Sequence, residues 1–96
     1  ATADDAYKAG YYDKAAYLYQ ELLSRATAPT AELHEALANC HEQMQASEAM
    51  LYHLRAAITD YQTMANADPD NAEVRAALTR CEQRLAVLAP AAARPR

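Results

Sequence analysis

The ten residues from Ala31 to Cys40 recur from Ala72 to Cys81, with five of the ten positions identical and Leu33 replaced by the similar Val74. In both copies the apolar side chains fall four and then three positions apart (Leu33, Leu37, Cys40; Val74, Leu78, Cys81), the spacing of one face of an α-helix. A second echo lies in the other helix of each unit, where Ala15, Tyr19 and Leu22 fall 34 residues before Ala49, His53 and Ala56. One helical hairpin cannot bury its apolar face alone. A chain that repeats the hairpin at this period is therefore expected to stack one pair on the next, as a solenoid does.

Composition removes the competing classes. Ala dominates, β-branched residues are scarce, and seven Tyr supply all the aromatic bulk because Phe and Trp are absent. That favours helices packed closely through small side chains over a sheet. With 96 residues the chain makes one domain with a thin core. A phosphate-cradling loop or dinucleotide fingerprint needs several glycines, and Gly10 is the only one here. Net charge is −4 and the nine basic residues are scattered, which leaves no footprint for nucleic acid. No apolar stretch approaches the roughly 20 residues that membrane insertion needs, and nothing resembles a signal peptide. Two cysteines without clustered spacing suit a reducing compartment, so a cytoplasmic location is expected, with a nuclear one left open. Opening at Ala1 without Met, the chain reads as a fragment or a processed form.

Periodicity and caps place five helices. Thr2 and Asp5 form a capping-box pair that opens a short first helix, ended by Gly10. The second is predicted from Tyr12 to Arg25, with Tyr12, Ala15, Ala16, Tyr19, Leu22 and Leu23 on its apolar face. After a break over residues 26–29, Thr30 is a candidate N-cap for a third helix striped by Leu33, Leu37, Cys40 and Met44. A tight turn near residues 45–47 follows, with Ser47 as the cap of a long fourth helix, Glu48 to Asn66. Met50, Leu54, Ala57, Ile58, Tyr61 and Met64 trace the apolar face of that helix. Asp68 and Pro69 then read as N-cap and first residue of a fifth helix that buries Val74, Leu78, Cys81, Leu85 and Leu88. The fifth helix has its acids early (Asp70, Glu73) and its arginines late (Arg80, Arg84), as a helix dipole prefers. The repeat domain is thus expected over residues 1–88, with a disordered tail over 89–96.

The run from Gly10 to Gln20, Gly-Tyr-Tyr-Asp-Lys-Ala-Ala-Tyr-Leu-Tyr-Gln, resembles the middle of a tetratricopeptide (TPR) motif. In that family a Gly-x-Tyr turn leads into a second helix with a small residue and then an aromatic four positions on. Ala15 and Tyr19 fill those two places, and Leu22 fills the usual small site. Asp68-Pro69-Asp70-Asn71 resembles the Asp-Pro-x-Asn link between repeats. The likeness covers about residues 3–85, some two and a half motifs. It departs from the family where His34 and Arg75 replace the large aromatic of each first helix, and in the turn over 45–47, which reads as one residue short and lacks Gly. The fold it implies is an all-α, right-handed α-α superhelix of antiparallel helix pairs.

The resemblance further implies a concave groove lined by the first helix of each motif, where a partner peptide or helix docks. Its lining would be Glu32, Glu35, Asn39, Glu42 and Gln43, then Ala76, Arg80, Gln83 and Arg84; the bland alternative is an ordinary solvated face. A carboxylate clamp of the co-chaperone kind is not expected. In one frame Glu35 and Ala77 replace the needed Lys and Asn, and in the other Asp4, Ala36, Glu73 and Ala77 occupy the sites, so a carboxylate would face a carboxylate. A partner offering basic or mixed charge fits better.

No metal, cofactor or catalytic site is expected. His34 and His41 lie two turns apart, about 10.5 Å along one helix axis, too far to share an ion. Cys40 and Cys81 read as core, and His53 sits where the repeat wants an aromatic. Ser24 and Ser47 are the only serines and no His is placed to activate them. Tyr17 and Tyr52 fall off the apolar stripes, either as interface residues or as packing for a helix outside this segment. Two functions remain: a non-catalytic adaptor that binds a protein partner in the groove, and a structural subunit that docks through its helix ends into an oligomer or larger complex.

Overall fold

A computed structural model of the chain describes residues 2–27 and 30–88. It contains five α-helices, α1 (Ala3–Lys8), α2 (Tyr12–Arg25), α3 (Ala31–Gln43), α4 (Ser47–Ala67) and α5 (Ala72–Leu88), and no strand among the described residues. The tail expected from residue 89 onward lies outside them, as do residues 28 and 29 of the expected break.

Local chemistry sets the helix ends. At α1 the capping box forms as expected: Asp5 N–H donates to Thr2 Oγ1 at 3.1 Å, and Thr2 N–H donates back to Asp5 Oδ2 at 3.4 Å. The C-termini of α1 and α3 close in the same way. Gly10 N–H bonds Tyr7 O and Tyr11 N–H bonds Ala6 O; Gln45 N–H bonds Glu42 O and Ala46 N–H bonds His41 O. Both are Schellman closures, which need a left-handed residue just past the helix. Gly10 adopts it at φ 87° and Gln45 at φ 58°. The two turns are therefore equally long, and the expected shortening at residues 45–47 is not found; Gln45 takes the conformation for which the first turn uses glycine.

Two expected caps are reassigned, and the third, Thr30, holds the N-cap position without a cap bond. Its hydroxyl instead donates to Asp60 Oδ2 on α4 at 2.6 Å. Ser47 is the first residue of α4 and Ala46 is its N-cap, again without a side-chain bond. Asp68 ends α4, and the α5 N-terminus is capped by Asn71, whose Oδ1 accepts from Val74 N–H at 3.2 Å. Asn71 stands three residues ahead of the first apolar position of α5, which lets it cap, whereas Asp68 and Pro69 lie in the connection.

Consecutive helices pack on one another throughout: α1 on α2, α2 on α3, α3 on α4 and α4 on α5. α3 serves two cores. Its Leu37 and Cys40 join Ala3, Ala6, Ala15 and Tyr19, while its Ala31 and Ala38 join Met50, Leu54, Ala57, Tyr61, Val74, Ala77 and Cys81. Small residues on α3 let α4 approach closely, and most of the driving force is the apolar surface removed from water. Cys40 and Cys81, equivalent in the internal repeat, are both fully buried. Leu22, Met44 and Leu88 are not part of either core. They are at least a third exposed, Met44 because α3 has already ended, while Leu22 borders an open surface depression beside Ala3 of α1 and Leu33 of α3.

Candidate binding groove

A concavity of about 790 Å³ crosses the chain, lined by residues from all five helices or their connections. α1 supplies Asp4; α3 supplies Glu32, Glu35, Ala36 and Asn39; α5 supplies Glu73, Ala76, Ala77 and Arg80. Tyr19 from α2 and Tyr61 from α4 form part of its floor. Its four carboxylates face one guanidinium, so the lining is acidic.

Two tyrosine–carboxylate bonds fix the floor. Tyr19 on α2 donates its hydroxyl to Asp4 on α1, and Tyr61 on α4 donates to Glu35 Oε1 on α3 at 2.8 Å. In each hairpin the second helix thus reaches back to an acid of the first. Burial, and then the neighbouring carboxylate, raise the pKa of both phenols, so they remain donors across the working range. Neither acid was singled out for this role in the sequence. The Tyr–acid separations differ between the hairpins, so no repeat alignment reveals them.

Across the groove α5 lies parallel to α3. Glu35 receives both Arg80 Nε at 2.7 Å and Arg80 Nη2 at 2.8 Å, and Arg84 donates to Asn39 Oδ1 at 2.8 Å. Both contacts join residues 45 apart in sequence. A weaker 3.5 Å ion pair links Arg84 to Glu42. Burial opposes ionisation of Glu35, but the bonds from Arg80 and Tyr61 outweigh it and hold its pKa below the usual range. Arg80 is in turn driven further toward its charged form by Glu35.

The structure therefore divides the residues expected to meet a partner. Glu32, Glu35, Asn39, Ala76 and Arg80 line the main concavity. Glu42, Gln83 and Arg84 instead line a second depression of about 510 Å³ near the end of α5, which Arg80 also borders. Gln43 is exposed and lines neither. Glu35, Asn39, Arg80 and Arg84 spend their polar groups on one another and Asp4 accepts the Tyr19 hydroxyl, which leaves the exposed Glu32 and Glu73 as lining carboxylates with neither a salt bridge nor a side-chain hydrogen bond among the described residues.

Other chemistry is sparse. Ser24 donates to the backbone O of Glu21, and Ser47 is exposed at a helix start. Among the described residues no three His, Cys, Asp or Glu side chains are placed to hold a metal ion, and no helix is long and apolar enough to cross a membrane. No protein-family model, curated protein or solved structure matches the chain.

Proposed function

We propose that this chain is a protein-interaction module of the tetratricopeptide type, non-catalytic, which binds an extended basic segment of a partner along its concave face. The observation that carries the reading is the shared lining: alternate helices α1, α3 and α5 all contribute to one acidic concavity. Asp4, Ala36, Glu73 and Ala77, the positions that one clamp frame of that family picks out, all lie along it. Glu32 and Glu73 are the groups left to meet a cation. The Glu35–Arg80 pair ties the two walls together and sets the groove's width.

Binding of short extended peptides with basic, neutral and acidic sequences, read by fluorescence anisotropy, tests this. The basic set is expected to bind, and Glu32→Lys with Glu73→Lys is expected to weaken it at least about tenfold, the cost of roughly 1.4 kcal/mol. Absence of binding by all three sets, or affinity unmoved by the double change, overturns the reading.

The subunit reading is favoured by a different observation. Tyr11, Tyr17 and Tyr52 are more than 60% exposed and Val87 is 84% exposed. Large apolar groups on a surface are what an assembly interface covers. Melting that rises with protein concentration would select it.

A further inference from the structure

Three histidines meet in the seam between α3 and α4, away from the groove. His34 and His53 face each other with Nδ1 to Nδ1 at 3.0 Å. The ring of His41, two turns along α3 from His34, stacks on the other side of His53, centroids 5.5 Å apart and planes within 1° of parallel. Tyr52 of α4 meets the His53 ring edge-on at 5.0 Å. His53 is 8% exposed, and His41 Nδ1 is buried without a hydrogen-bond partner. Counting along one helix separates His34 from His41; His53, arriving from α4, fills the space between them.

This arrangement limits how many protons it can hold. Two Nδ1 atoms at 3.0 Å make a hydrogen bond only when one of them carries hydrogen and the other does not. One added proton is accommodated, because a single hydrogen between the two Nδ1 atoms still lets one ring donate to the other. A second proton, on His53, sets N–H against N–H. A proton on His41 Nδ1 creates a buried donor with no acceptor and, with His53 charged, two stacked cations. The titratable groups facing His53 are His34 and His41 from α3 and Tyr52 from its own helix. Among the described residues neither a carboxylate nor any charge on α5 reaches it to offset the gain.

The geometry points to an acid-operated seam: the His34–His53–His41 stack closes α3 on α4 while it holds no more than one proton beyond those of three neutral rings, and a second added proton opens it. His53 follows this reasoning, since burial, then His34 and His41, push its pKa down to about 4; burial lowers that of His41 as well. Because these imidazoles bind protons more weakly folded than unfolded, the seam's stability is complete above about pH 6.5 and is lost as pH falls below it. For His53 alone the open-to-closed ratio is expected to rise about 160-fold by pH 4. The inference does not depend on what the groove binds.

The experiment is urea unfolding of the whole chain at intervals from pH 8 to 5, with imidazole nitrogen NMR of the wild type over the same range. That window lies above the carboxylate titrations. The unfolding constant is expected to rise toward tenfold per pH unit below 6.5, and His53→Phe, which keeps a flat ring, is expected to flatten the rise. In the NMR spectra a hydrogen-bonded Nδ1 pair is expected, with His53 still neutral at pH 5.5 in the folded form. Three imidazoles that titrate independently near 6.5 in the folded chain would overturn the proposal, and so would a pH slope unchanged in His53→Phe. Should that variant fail to fold, the wild-type spectra and His41→Gln decide the question.

Discussion

Glu35 holds Arg80 through two bonds of 2.7 and 2.8 Å while accepting a third, at 2.8 Å, from Tyr61. One side chain on α3 is therefore bonded to both α4 and α5. The two sides of this junction differ in exposure, since the Glu35 side chain is 12% exposed and that of Arg80 is 53% exposed.

That asymmetry predicts unequal mutational costs. Arg80→Ala removes a half-exposed partner and leaves Glu35 bonded to Tyr61, at about 0.5–1 kcal/mol. Glu35→Ala also leaves the buried Tyr61 hydroxyl without its acceptor, so about 2–3 kcal/mol is expected. The pH dependence follows from the depressed pKa of Glu35. Its contribution is complete above about pH 4.5 and is lost as pH falls through the lower folded value, and Arg80→Ala should make that acid limb shallower. Denaturant titrations at pH 7, 4 and 3 check both the order and the limb.

The left-handed residue at the end of α3 gives a second prediction. Gln45 at φ 58° performs the closure that Gly10 performs at φ 87° for α1. A side chain in that region costs about 1 kcal/mol, so Gln45→Gly is expected to stabilise the chain by roughly 0.5–1 kcal/mol. A Cβ added at Gly10 would meet nothing within 4 Å, so Gly10→Ala tests conformation alone and is expected to cost about the same amount. Thermal melts of the two variants should move in opposite directions.

What the sequence made legible follows from what periodicity measures. It places α2 at the observed ends, and the repeat pairs Cys40 with Cys81, both fully buried. The repeat also pairs Glu35 with Ala76, whereas the structure joins Glu35 to Arg80. The repeat reports which positions are equivalent, and it does not report which side chains of successive helices meet. Thr30 shows the same limit. As an N-cap it is a local choice, but Asp60 is 30 residues away and offers its hydroxyl a better acceptor. The groove was legible in Glu32, and in Glu73 only as a position of the clamp frame. Its cross-links were not, because they are distances between helices rather than spacings within one.

The cysteines carry a prediction at alkaline pH. Burial pushes the thiols of both Cys40 and Cys81 up to about 11. In the unfolded chain a thiol ionises near 8.5, so the folded state holds protons that the unfolded state releases. Stability is therefore complete below that pH and falls as pH rises toward 11. Alkylation at pH 8 should occur only through opening, with no modified native protein in mass spectra after short exposure and two labels per chain in denaturant. Rapid labelling without denaturant would show that α3 and α5 do not shield these thiols.

The last prediction concerns cooperativity through α3. Leu37 and Leu54 are almost completely buried, in different cores, and α3 walls both. Truncating either to Ala leaves a cavity and is expected to cost about 2–5 kcal/mol, a large share of the 5–15 kcal/mol typical of a domain. Leu22→Ala, at a site 50% exposed, is the control and should cost under about 1 kcal/mol. If the shared helix couples the cores, each buried variant melts in one transition lowered by about 8–40 °C. Circular dichroism and Tyr fluorescence should then give the same midpoint, because Tyr19 reports one core and Tyr61 the other. Divergent midpoints in Leu37→Ala, with the Tyr61 side surviving, would mean that α3 to α5 form a stable unit on which α1 and α2 are an addition.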